Sequence, residues 1–160
     1  MDATPLVVST FAIQVHAGCA VLALLIGTIV LAMKKGTMAH KVLGRIWIVL
    51  MIGVALSSFF ITEVRMLGPY SLIHGLSLYT LFGLSQAVMA IRSGDVKAHR
   101  GHMIGIYVGA LILAGAFTLL PGRRMHAVVF ADGGATAMLA SIALAALLVA
   151  IRYRRGRQIS

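Results

Sequence analysis

Two long apolar runs in this chain each end abruptly in a short cluster of cations. FAIQVHAGCAVLALLIGTIVLAM runs into KKGTMAHK, and SLIHGLSLYTLFGLSQAVMAI runs into RSGDVKAHR. Apolar stretches of about 18 residues or more are helices in a bilayer, because only a helix satisfies its own backbone N–H and C=O groups there. The composition agrees. With 60% hydrophobic and 11% charged residues, the chain cannot supply the polar shell that a soluble domain of this size needs. The sequence therefore predicts an all-α integral membrane helical bundle.

Five transmembrane helices are expected, over 6–33, 46–64, 71–91, 103–120 and 134–151. The lysines and arginines fix an expected orientation. Eleven of the 14 follow the first, third and fifth spans, and only Arg65, Arg123 and Arg124 fall on the opposite side. Cytoplasmic loops carry such an excess, so the N-terminus is expected outside and the C-terminus in the cytoplasm of a bacterial inner membrane. The net charge of +10 does not point to nucleic acid, because the cations sit in short loops and do not alternate with exposed aromatics. Cys19 is the only cysteine, which excludes an intrachain disulfide. The N-terminal MDATPLVV lacks the basic region of a cleaved signal peptide, so the first helix is expected to be retained.

Four of the six histidines form an internal echo. His16 lies in IQVHAG and His74 in SLIHGL, and each span runs into a basic segment holding a second histidine, His40 or His99. The chain reads as two copies of one helical hairpin, about 6–64 and 71–120, with an extra C-terminal helix at about 134–151. At about 1.5 Å per residue, the apolar stretch between His16 and Lys34 covers ~27 Å. His16 and His74 thus share the outer half of the membrane, and His40 and His99 share the inner edge.

Two neutral imidazoles facing each other are what an iron porphyrin needs for axial ligation. The expected metal ligands are His16 with His74 and His40 with His99, holding one or two b-type haems. Gly18 and Gly75 are expected to leave room for the ring plane. Lysines and arginines near the inner pair would meet the propionates, as would Arg123 or Arg124 outside. His102, one turn after His99, is an alternative inner ligand or flanks a quinone. A histidine at an interface is by itself an ordinary amphipathic residue, whereas one inside an apolar span marks function. His126 is expected to be a surface residue of an outer loop.

The remaining polar groups have plainer readings. Gln14, Ser57, Ser58, Thr62, Ser77 and Gln86 are read as helix–helix hydrogen-bond partners, and the glycines at 101, 105 and 109 as a stripe for close helix packing. Glu63 is a proton acceptor for a quinone head group in a secondary reading. The methionines are read as packing. The sequence contains no Ser/His/Asp set, no paired carboxylates and no phosphate-cradling glycine loop.

The run KGTMAHKVLGRIW, with SSFFI, SLIHGLSLYTL, KAHRGHM and the PGR of LLPGRR, resembles the bacterial membrane proteins grouped as domain of unknown function 2306. That resemblance covers His16 to Arg124 and implies a membrane fold without an activity. In plan the chain is also similar to the di-haem transmembrane cytochromes of the b561 type, whose four-helix core carries haem-ligating histidines on alternate helices. That likeness implies a haem-b electron carrier, an oxidoreductase or electron-transfer subunit. The partners expected are the lipid bilayer, a quinone, and a redox subunit or larger membrane complex. The competing expectations are a structural or assembly subunit of a respiratory or photosynthetic complex, and a small transporter or proton relay using His16 and His74.

Overall fold

The computed structural model describes residues 4–61, 72–120 and 123–130. The chain divides into two compact units. One is Ser9–Phe117; the other joins Met1–Val8 to Thr118–Ser160. The larger unit holds four long helices: α2 (Phe11–Ala32), α3 (Met38–Ser58), α4 (Leu72–Arg92) and α5 (Val96–Thr118), whose last residue passes into the second unit. The smaller unit contains α1 (Thr4–Val7) and α6 (Arg124–Phe130), which pack on each other.

Helices α2, α3 and α5 are each long and apolar enough to cross a membrane. Helix α4 has 21 residues, but it carries His74, Ser77, Thr80, Ser85 and Gln86 and is not in that set. The expected fifth span, 134–151, lies outside the described residues.

The two hairpin turns share a positive-φ glycine followed by a side-chain N-cap. Helix α2 stops at Met33, which turns extended, and the Lys35 ammonium donates to the carbonyls of Val30, Leu31 and Met33 at 2.9, 2.6 and 3.1 Å. Those carbonyls would otherwise be orphaned at the helix end. Gly36 then takes φ +80°, and Thr37 caps α3 by accepting from the His40 N–H at 3.2 Å. In the second hairpin Gly94 takes φ +83°, and Asp95 caps α5 by accepting from the Ala98 N–H at 2.8 Å. Positive φ favours glycine at both sites.

These caps start α3 and α5 earlier than expected, at Met38 and Val96 instead of 46 and 103. Lys41, Arg45, Lys97 and Arg100 are therefore helical residues, not loop residues. The hydrophobicity that locates a span begins about two turns after the backbone has become helical. The end of α3 meets the start of α4, with Phe59 against His74, so all four helices run antiparallel to their chain neighbours and both turns share one end of the bundle. We call this the turn end and its opposite the far end.

The bundle closes into a ring, because α5 packs on α2 as well as on α4. Its core is Ala23, Trp47, Met51, Leu84, Ile106 and Leu111. At mid-height Gly27 is the point of closest approach. The Trp47 indole N–H donates to the Ala23 carbonyl at 2.9 Å, and a Cβ at position 27 would stand 2.5 Å from Trp47 Nε1 and 2.8 Å from the Tyr107 ring. The Thr28 hydroxyl donates to the Leu24 carbonyl at 2.7 Å, so the bond between Thr28 and Tyr107, 2.6 Å, has the tyrosine as donor. Tyr107 opens a π-helical segment, Tyr107–Leu113, inside α5. Such widened turns are uncommon and recur at functional sites.

Of the glycine stripe, Gly105 and Gly109 lie under Tyr79 of α4, at 3.5 and 3.9 Å from where a Cβ would be, and Gly101 meets nothing. The stripe packs a neighbouring helix over two of its three positions. Among the methionines, Met51 is wholly buried and Met103 packs on the core, while Met38 and Met89 are exposed.

Gly27→Ala is expected to lower stability by about 1–3 kcal/mol, the usual cost of overpacking a tight core. Gly18→Ala, where a Cβ meets nothing within 4 Å, should leave it unchanged or slightly raised. Thermal unfolding in detergent, followed by the fluorescence of Trp47, the sole tryptophan, measures both.

Candidate functional site: two tiers of histidine

The four echoing histidines sit at the two ends of the four-helix unit, two at each. At the far end, His16 of α2 reaches α3. Its Nδ1 is 3.0 Å from the Val54 carbonyl oxygen and 3.2 Å from Ser57 Oγ. A carbonyl can only accept, so Nδ1 carries the proton and Nε2 keeps the lone pair. The Ser57 hydroxyl donates back to its own helix, at the Gly53 carbonyl, 2.6 Å away. His16 makes no other hydrogen bond among the described residues.

His74, at the start of α4, is 8% exposed and packs on Phe59, with ring centroids 5.7 Å apart and a 55° tilt. One turn on, Ser77 hydrogen-bonds Ser58 of α3, joining the two helices. The buried polar side chains among the described residues are Ser57, Ser58, His74, Ser77 and Thr80, and all belong to the far halves of α3 and α4. Ser57 and Ser58 are adjacent, so α3 presents one hydroxyl to α2 and the next to α4. The sequence reading of Ser57, Ser58 and Ser77 as interhelical partners matches these bonds.

At the turn end, His99 of α5 reaches back to α4. Its Nδ1 is 2.9 Å from the Ala87 carbonyl oxygen, which again fixes the proton on Nδ1 and the lone pair on Nε2. His40, in the first turn of α3, lies beside the Val30 carbonyl of α2 and within electrostatic reach of Lys35 and His99. Its Nδ1 is buried and has no hydrogen-bond partner. An orphaned imidazole nitrogen within electrostatic reach of a second histidine is the feature at this end that most needs an explanation, since buried polar atoms are nearly always paired.

His102, one turn after His99 on α5, is exposed, whereas His99 is half-buried. His126 lies in α6 and stacks on Phe130 with centroids 4.6 Å apart; the expected outer loop is helical here. Arg123 and Arg124 belong to the second unit with it. Glu63, Arg65 and Thr62 lie outside the described residues. Gly18 and Gly75 are exposed, with nothing within 4 Å of a built Cβ, so their open side is the outer surface and not the interhelical space that a ring plane would use. By contrast Gly44, one turn after His40, is half-buried and also meets nothing.

Among the described residues no group of three or more His, Cys, Asp or Glu side chains comes together as a metal site. The chemistry at hand is that of paired neutral imidazoles. A fixed Nδ1–H leaves an Nε2 lone pair able to bind a metal or accept a proton. Sequence reasoning did not single out Trp47, Thr28 and Tyr107, which hold the two tiers apart, because nothing in residue type marks which apolar face meets which.

A family model described as "Predicted membrane protein (DUF2306)" matches residues 13–153. Neither the curated proteins nor the solved structures contain a match.

Ser58→Ala should cost about 0.5–1.5 kcal/mol by removing the bond across the helices, since the Ser77 hydroxyl still donates to the Ile73 carbonyl at 2.9 Å. Adding Ser77→Ala should cost less than the sum of the two single changes, and a double-mutant cycle on thermal unfolding reads that coupling.

Proposed function

This chain belongs to the DUF2306 family of predicted membrane proteins, and we propose that it is a b-type haem-binding electron-transfer protein of the bacterial inner membrane. In this reading His16 and His74 would hold one haem at the outer side, and His40 and His99 a second at the inner side. One observation carries it. His16 and His99, at opposite ends of the bundle and on different helices, each tie Nδ1–H to a backbone carbonyl of the adjacent helix. Metal-ligating histidines characteristically do this, because the second-sphere bond fixes the tautomer and raises the basicity of the free nitrogen. The unpartnered Nδ1 of His40, within electrostatic reach of His99, fits the same donor chemistry.

Haem would supply a reversible one-electron Fe(III)/Fe(II) couple. The chain supplies the rest. The Val54 and Ala87 carbonyls orient the rings. Phe59 closes over His74, and the core around Trp47, Met51 and Leu111 excludes water between the tiers. The cations of the turn end, and Arg123 and Arg124, are the candidate partners for propionates. Electrons would pass between donor and acceptor through a quinone or a partner redox subunit. The topology that goes with this reading has the turn end in the cytoplasm and the N-terminus outside.

A second reading is favoured by the second contact of His16, to Ser57 Oγ. A histidine with two hydrogen bonds on the neighbouring helix is also an interhelical fastener, as a structural or assembly subunit without its own redox centre would use it.

Pyridine haemochrome analysis of protein purified from haem-replete cells separates the two. Two b-type haems per chain are expected. His99→Ala should lose about one of them with the fold retained by circular dichroism, while His102→Ala should lose none. Absence of b-type bands in the reduced-minus-oxidised spectrum ends the cytochrome reading and leaves the structural one.

A further inference from the structure

The turn end carries a pattern that the histidine tiers do not use. Lys41 and Arg45 lie one turn apart on α3, and Lys97 and Arg100 lie one turn apart on α5. All four are exposed. Among the described residues none of the four side chains has a hydrogen bond or an ion pair. Asp95 is the one acidic side chain described, and it is committed to capping α5 through the Ala98 N–H. Each pair borders a glycine, Gly44 in KVLGR and Gly101 in KAHRG. Nothing lies within 4 Å of the Cβ direction at either glycine. Each site is thus two unpaired cations beside a gap in the helix surface.

We propose that these two notches each hold the phosphate of an anionic phospholipid, one on α3 and one on α5. The inference does not depend on haem. The depth argues for lipid. Arg45 lies seven residues beyond Met38, about 10 Å along the helix axis, on a helix apolar enough to cross a membrane. An exposed guanidinium at that depth has to extend toward the interface with its methylene stem along apolar surface. That motion carries it to Lys41, its neighbour on the same face, at headgroup level. Lys97 also sits in the first turn of α5, where the backbone dipole favours an anion. A missing side chain at Gly44 or Gly101 lets a headgroup approach the backbone, which a bulkier residue would prevent. Lys35 differs from these four because its ammonium is spent on three α2 carbonyls, and it is not part of either notch.

The test is lipid selectivity in reconstituted full-length protein, read by electron paramagnetic resonance of spin-labelled phosphatidylglycerol and phosphatidylcholine. The motionally restricted fraction should favour phosphatidylglycerol, and the preference should shrink as salt is raised. A juxtamembrane cation contributes about fivefold in association with an anionic surface. Lys41→Ala/Arg45→Ala and Lys97→Ala/Arg100→Ala should each therefore lower the preference several-fold, and the fourfold variant should abolish it. Lys41→Gln/Arg45→Gln, which keeps side-chain length and helix propensity, serves if the alanine variants misfold. Equal restriction of both lipids by the wild-type chain overturns the proposal, as does a preference unchanged in the fourfold variant. Displacement of the labelled lipid by soluble glycerophosphate would also overturn it, because the notches would then be free-phosphate sites.

Discussion

The Trp47 indole can donate to the Ala23 carbonyl only because position 27, one turn further along α2, has no side chain. In lipid, apolar side chains gain little by leaving the acyl chains for one another, so helices associate through close backbone approach and buried polar contacts. Gly27 supplies the first and Trp47 the second, and Tyr107 uses the same gap from the other side to reach Thr28. Three helices, α2, α3 and α5, are locked at one height by two hydrogen bonds and one absent methyl group. The fourth, α4, is held by Ile106 against Gly83 and by Tyr79 over Gly105 and Gly109. The positions of His16, His40 and His99 follow from this contact, since they lie on the same three helices about two to three turns to either side.

The same hydrogen bonds serve two physical ends. His16 to Val54 and His99 to Ala87 each tie one helix to its neighbour, a contribution that measured interhelical bonds put at about 0.6 kcal/mol on average. Each bond also decides which ring nitrogen holds the proton. A bond to a serine alone would not do so, because a hydroxyl can donate or accept; a carbonyl leaves no choice. The tautomer is therefore set by backbone geometry and is insensitive to nearby side chains. A ligand nitrogen requires such a fixed tautomer, and a fastener on the same carbonyl adopts it as well.

Much of the bundle is legible from hydropathy alone. The apolar runs locate α2 and α4 to within a few residues, apart from the break at residues 8–10 that separates α1 from α2. Helices α3 and α5 begin about two turns before their apolar stretches, because Thr37 and Asp95 cap the backbone while the side chains are still those of the interface. The depth pairing of histidines came from counting residues along antiparallel spans, and it needs no side-chain detail. Which face each ring takes does need it. Gly18 and Gly75 looked like room for a ring plane by proximity in sequence, yet Gly18 is two residues from His16 and so points to the opposite side of its helix. Gly44, at a spacing of four from His40, lies on the same face. The closing contact of Trp47, Gly27 and Tyr107 joins residues 20 and 80 positions apart in the chain, and no local periodicity encodes it.

The basic segments at the turn end show how one short stretch can carry two functions without conflict. At about 100° per residue, Lys41 and Arg45 lie ~100° and ~140° around α3 from His40, and Arg100 and Lys97 stand ~100° and ~160° around α5 from His99. The histidines can thus turn toward α2 and α4 while the cations extend outward from the same two turns of helix. A histidine among lysines is awkward only in one dimension. On a helix the imidazole escapes the cations' outer face, and His99 of α5 stands within its electrostatic reach. The exception is Lys35, the one cation within electrostatic reach of His40. It is pinned to the carbonyls that end α2, so its charge faces the negative end of a helix dipole and is partly neutralised where it stands.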